Sequence, residues 1–278
     1  MPTLDARRLR TRARSVHLLP RRRAARAAVH WVGFQQQTEG IGSVQANGLD
    51  VGAATDVGRV RESNEDALLA VRDGDGGAVL IAVADGMGGH NAGEVASALA
   101  VESLARLFEE SDQPPQVADD GEARLGRAVQ QANRAIWEAA CADAEKEGMG
   151  TTLVCALVAG TGEVMIANVG DSRAYVVKGG EARLLTIDHT WVTDQVRTGQ
   201  MSERDARVSP YRHLLTRSLG ATPMVQVDLF SGLRLEPGDV SRELEQAATA
   251  QQAAERLVSL AVERGGADNA TAVVVRRV

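Results

Sequence analysis

Four stretches of the 278-residue sequence set carboxylates beside turn-forming residues: Glu65-Asp66, Asp85-Gly86, Asp171 and Asp268-Asn269. A carboxylate delivered into a glycine-rich turn lies where backbone carbonyls also point outward. Such an all-oxygen environment suits a hard divalent cation, Mg²⁺ or Mn²⁺, which takes oxygen ligands and keeps several waters. Taken singly, each has an ordinary explanation. Asp85 could cap a helix beginning near Asn91, and Glu65-Asp66 could sit in a solvated loop, with Arg61 four residues upstream offsetting the paired charges. The alternating acids Asp73 and Asp75 do not make a calcium loop, because Ala78 stands where that pattern needs glycine, and a hairpin turn accounts for them. The nucleophile and nucleotide motifs are missing too: there is no Gly-x-Ser-x-Gly, no phosphate-loop Gly-Lys pair and no reactive-cysteine context.

The elements that must hold these carboxylates can be read from periodicity. Val79 to Ala84 is a continuous apolar run of strand length, ended at once by Gly86, Gly88 and Gly89, so it predicts a strand covered on both faces with Asp85 at its end. Val51 to Val71 reads as two short strands around a polar turn. Helical spacing runs from Gly93 to Glu110 and again from about Glu122 to Lys146. Strands are expected at 151–158, 163–168 and 172–177, joined by turns of hairpin length, with Asp171 in the turn between the second and third, and again at 225–230. Residues from about 188 to 218 read as a flap. A last helix opens at Ser241 and ends at Gly265-Gly266, and a strand follows Asp268. Runs of strands set apart from runs of helices indicate an α+β fold.

Charge divides the chain unevenly. Residues 1–30 carry nine Arg and one Asp, and the remainder carries 22 Lys or Arg against 36 Asp or Glu. The first 50 residues therefore read as an Arg-rich disordered arm and linker, and 51–278 as the domain. The arm has no aromatic interleaving before Trp31 and no recognisable module, so nucleic-acid binding is not expected. Two cysteines without metal-ligand spacing, Cys141 and Cys155, read as reduced core thiols. With no apolar run long enough to span a bilayer, the expectation is a cytoplasmic protein without membrane contact, and a monomer.

Arg61-x-x-Asn64-Glu65-Asp66, Val83-Ala84-Asp85-Gly86-Met87-Gly88-Gly89, Gly150-Thr151-Thr152, Ala167-Asn168-Val169-Gly170-Asp171-Ser172, Leu215-Thr216-Arg217-Ser218-Leu219-Gly220 and Asp268-Asn269-Ala270-Thr271 stand in this order. Together they resemble the bacterial metal-dependent Ser/Thr protein phosphatases of type 2C over about Thr55 to Val275. The resemblance implies a central antiparallel β-sandwich flanked by helix pairs. It also implies two Mg²⁺ or Mn²⁺ ions, with a third at Asp171, that activate water against phosphoserine or phosphothreonine in proteins phosphorylated by a Ser/Thr kinase. By the same resemblance Asp85 bridges both ions, the Gly86 carbonyl and Asp268 ligate them, Glu65 and Asp66 orient metal-bound waters, and Arg61 holds the substrate phosphate. His90, after Met87, reads as a turn residue rather than an acid.

One departure stands out. In the family a Pro-Gly-Asp turn leads into an apolar strand ending in Ser-Asp-Gly-Leu, whose Asp is a metal ligand. Here Pro237-Gly238-Asp239-Val240 runs directly into Ser241, and no Asp-Gly-Leu occurs elsewhere. A core strand and a ligand are thus expected to be lost. This leaves two function classes, a protein phosphatase and a catalytically impaired relative that binds phosphoprotein as a regulatory module.

Overall fold

The computed structural model describes residues 30–31, 44–46, 48–72, 77–89, 92–109, 121–178, 180–236 and 247–278. The Arg-rich arm up to residue 29, the Asp73–Asp75 turn, His90 and residues 237–246 lie outside them. The strands are β1 (His30–Trp31), β2 (Val44–Ala46), β3 (Leu49–Asp56), β4 (Asp66–Arg72), β5 (Ala78–Met87), β6 (Gly150–Thr151), β7 (Leu153–Ala159), β8 (Glu163–Val169), β9 (Tyr175–Lys178), β10 (Glu181–Leu184), β11 (Asp228–Arg234) and β12 (Ala270–Arg277). The helices are α1 (Ala92–Glu109), α2 (Gly121–Ala142), α3 (Trp191–Arg197), α4 (Glu203–Val208) and α5 (Ala250–Glu263).

The main sheet runs β1-β4-β5-β7-β8-β11, with β6 also paired to β5, and its neighbours are antiparallel throughout. A second sheet, β12-β3-β2, stacks on it. The strands of the main sheet are apolar at consecutive positions because both faces are covered. Leu69, Leu80, Cys155 and Leu157 pack under α1 and α2, whereas Ala70, Val79, Val154 and Ile166 face Leu49 and Val51 of the second sheet. On the outer side of that sheet α5 lies against β3. Gly52 makes this approach possible, since a Cβ there would stand 2.1 Å from the Gln251 backbone nitrogen. The layers are therefore helix pair, sheet, sheet and helix, the expected α+β sandwich, with one helix rather than a pair on the second side among the described residues.

Several expected boundaries shift. Sheet pairing starts before residue 51, because β2 and the start of β3 already pair. The second helix ends at Ala142, where Asp143 caps a separate 3-10 turn at Ala144–Lys146. Residues 172–174 are not strand. β9 begins at Tyr175 and pairs only with β10 in a two-stranded ribbon, not with β8. β11 begins at Asp228 rather than Val225, as Val225 and Val227 pack toward the α1 and α2 side. α5 starts at Ala250, where the Thr249 hydroxyl accepts the Gln252 N–H as its cap, so the helix does not run back through Ala247. Cys155 is a buried thiol as expected, but Cys141 is exposed on α2.

Candidate metal and phosphate site

Asp66 opens β4 and Asp85 nears the end of β5, and the register pairs them directly across the two strands. Opposed carboxylates on an antiparallel pair repel. Burial, and then the charges of Asp268 and Glu65, push the Asp66 carboxyl up to about 6, despite the opposing hydrogen bond from Thr271 and the charge of Arg61. Desolvation likewise pushes Asp85 up to about 7, although its side chain still reaches solvent at the cleft mouth, and Asp66, Asp268, Asp171 and Glu65 add to the shift in that order. Glu65 and Asp171 are raised as well, each mainly by loss of water.

The surrounding polar groups fix this cluster from both ends of the chain. Gly86 donates to the Glu65 carbonyl at 3.1 Å, and Ser97 of α1 donates to the same carbonyl at 2.6 Å. A Cβ on Gly86 would lie 2.1 Å from the Gly93 carbonyl oxygen and 2.7 Å from that of Glu65, so only glycine lets the β5 turn, the Glu65 loop and α1 meet. Thr151 donates to the Asp85 carbonyl, and the Asp85 N–H donates to the Thr152 hydroxyl. Asn269 accepts from the Glu65 N–H and donates to the carbonyls of Val57 and Ser63, thereby closing the loop that carries Arg61. Thr271 donates to Asp66 at 2.5 Å. The Asp171 turn is held by His189, whose Nδ1 accepts the Gly170 N–H while Nε2 faces Asp228, itself bound by Arg217.

Two placements differ from the simple expectation. Arg61 directs its guanidinium at Asp268, with Nε to Oδ1 at 2.9 Å and Nη2 to Oδ2 at 3.2 Å, rather than into an open phosphate seat. Both side chains are at least half exposed, so the pair is a weak clamp. Among the described residues, no three His, Cys, Asp or Glu side chains are grouped closely enough to hold a metal ion as they stand. The donor chemistry does fit a hard divalent cation: every candidate donor is oxygen, and burial, with the neighbouring acids adding to it, raises the carboxyl groups above their ordinary range.

The roles of Thr271, Asn269, Thr151 and His189 are not legible from residue type. Asn269 and Thr271 have a positional signal, since they lie in the Asp268 motif, whereas Thr151 and His189 stand apart from the acidic stretches and reach them only in the fold.

A protein phosphatase 2C family model matches residues 58–227. The chain belongs to the protein phosphatase 2C family. A serine/threonine phosphatase stp of Listeria innocua is 36% identical over 239 positions, which cover 80% of this chain and 94% of that protein. A serine/threonine protein phosphatase PstP of Mycobacterium tuberculosis is 37% identical, over 81% of this chain and 44% of its own length. Among solved structures, the serine/threonine phosphatase of S. agalactiae superposes with a TM-score of 0.75 at 32% identity, covering 82% of this chain and 99% of that one. A PstP catalytic domain in complex with two manganese ions gives 0.66 at 35% identity, over 82% and 97%. Within the 2C fold the six sequence motifs converge on one end of the sandwich, at the open ends of β4, β5 and β12.

Proposed function

We infer that this chain is a metal-dependent serine/threonine protein phosphatase that acts on phosphoproteins. The observation that carries the reading is the convergence of Asp66, Asp85 and Asp268 from three separate strand ends beside Arg61, in a chain of the 2C family. Asp85, the Gly86 carbonyl and Asp268 would hold two Mn²⁺ or Mg²⁺ ions, Glu65 and Asp66 would act through bound waters, and Asp171 would serve a third ion. When bound, the ions would lower the pKa of water toward ~7 and offset the charge of the phosphoryl oxygens.

The chain's own residues supply the rest. Arg61 offers a planar fork of donors to two phosphate oxygens once it leaves Asp268, and the weakness of that exposed pair makes the exchange cheap. Thr271 holds the Asp66 carboxylate and Asn269 fixes the Glu65 backbone, so little reorganisation is needed when substrate enters. No side-chain nucleophile is required. The kinase-phosphorylated substrate and the monomeric, cytoplasmic state remain part of this reading. Among the described residues, no helix is long and apolar enough to cross a membrane.

The test is hydrolysis of p-nitrophenyl phosphate and of a phosphothreonine peptide with and without Mn²⁺, for the parent and for Asp85→Ala. Metal-dependent turnover that Asp85→Ala abolishes is expected. Activity of the variant within threefold of the parent, less than one tenfold step of about 1.4 kcal/mol, would remove Asp85 from the site.

A further inference from the structure

Beside β12, between the main sheet and α5, lies an open cleft of about 1360 Å³. Its floor is the inner face of the main sheet, including Val154 and Ile166, and its roof is α5, where Leu257 is 39% exposed. One wall is β12. This strand pairs with β3 on one side only, so along its other edge alternate N–H and C=O groups face the cleft without a strand partner among the described residues. One end of the cleft carries Asp85 and Asp268, and the other carries Arg276 and Arg277.

We propose that this cleft is a strand-acceptor site, which takes an extended segment of a second, different polypeptide as a new strand antiparallel to β12. The occupant's chemistry follows from the walls. It is covered by the main sheet on one face and by α5 on the other, so it must be apolar at consecutive positions rather than at every second one. It carries acidic residues at its leading end, against Arg276 and Arg277. An aspartate at its trailing end would arrive beside Asp85 and Asp268, where it is tolerated only with a cation present.

The segment between Leu235 and Ala247 is too short to fill the cleft. Residues 237–246 leave from Leu235 and return to Ala247, and both points lie at the arginine end: Arg277 donates to the Leu235 carbonyl and Arg276 to that of Ala247, each at 3.1 Å. Ten residues reach at most about 36 Å, whereas a path along the eight residues of β12 and back needs about 50 Å. No segment outside the described residues has more than three consecutive apolar residues. The nine arginines of residues 1–30 would also meet Arg276 and Arg277. An alignment of 239 positions with the Listeria relative covers 94% of it but 80% of this chain, so within the matched span the relative carries residues that this chain lacks.

The site is tested with the full chain in EDTA, so that the outcome is independent of catalysis. The probe is a fluorescein-labelled peptide, Glu-Asp-Val-Leu-Val-Leu-Val-Ser-Asn-Gly, with asparagine at the trailing end because no cation is present, followed by anisotropy and by amide exchange of residues 270–277. Saturable 1:1 binding is expected, with exchange of β12 slowed about 100-fold at a peptide concentration 100 times its Kd. Alternate N-methylation of the peptide removes ladder hydrogen bonds and should weaken binding at least tenfold, on the order of the loss of one or two such bonds. Leu257→Glu, at a half-exposed position on α5, should weaken it similarly. No saturable binding up to about 1 mM, equal affinity for the N-methylated peptide, or palmitate binding in place of the peptide would each overturn the proposal.

Discussion

Replacing Asp66 by Asn should stabilise the metal-free protein above neutral pH and destroy its response to metal. In the fold Asp66 is 8% exposed, faces Asp85 across the β4–β5 pair and keeps its proton to about 6, against an ordinary value of 3.8. A folded-state pKa above the unfolded one means that the native state binds more protons between these values. Stability is therefore lost as pH rises from about 4 to about 6, and stays low above. At 1.36 kcal/mol per tenfold the shift corresponds to about 3 kcal/mol, and coupling to the neighbouring acids makes 1–3 kcal/mol the realistic range. An asparagine keeps an oxygen to accept from Thr271 and carries no charge. Urea unfolding in EDTA should thus show the variant more stable than the parent by about 1–3 kcal/mol near pH 8, with the difference shrinking toward pH 4. Adding Mn²⁺ should reverse the order, because only the parent gains. A variant that is less stable than the parent at pH 8, or a difference that does not change with pH, would refute the account of Asp66 as an uncompensated buried charge.

Three further outcomes are expected. Gly86→Ala forces a methyl group into the Gly93 and Glu65 carbonyls; it should cost at least 1–3 kcal/mol in thermal or chemical unfolding and lower turnover with it. Arg61→Gln should change stability by less than about 1 kcal/mol, because its pair with Asp268 is exposed, yet raise KM for phosphopeptide and tighten Mn²⁺ binding in calorimetry. Inserting an apolar strand and Ser-Asp-Gly-Leu between Val240 and Ser241 should raise melting temperature and Mn²⁺-dependent turnover together, whereas the same insert with Ala for its Asp should raise melting temperature alone.

The acidic motifs were legible because each combines a carboxylate with glycine or asparagine at the end of an apolar run, and both signals survive without tertiary information. β5 and α1 were legible for the same reason: their patterns match their burial. What failed depended on partners far away in sequence. β10 is Glu181-Ala182-Arg183-Leu184, exposed at every residue, so no burial pattern marks it as a strand. β9 has a strand's composition but leaves the main sheet for its own ribbon, a choice set by geometry and not by residue type. The start of α5 was misplaced because Ser241 begins an attractive helical stretch, whereas the cap in use is Thr249. The pairing of Arg61 with Asp268, 207 residues away, is likewise announced by nothing local.

The pairing of β12 with β3 also has a temporal meaning. β12 follows β3 by more than 200 residues, and it brings Asp268, Asn269 and Thr271 with it. On a ribosome, β3, β4 and β5 emerge long before their last partner exists. Until then the Arg61 loop lacks the Asn269 bonds that close it, and Asp66 lacks its Thr271 donor. Contacts of such high sequence separation form late and slowly. The candidate site is thus incomplete until β12 has been translated and has paired with β3.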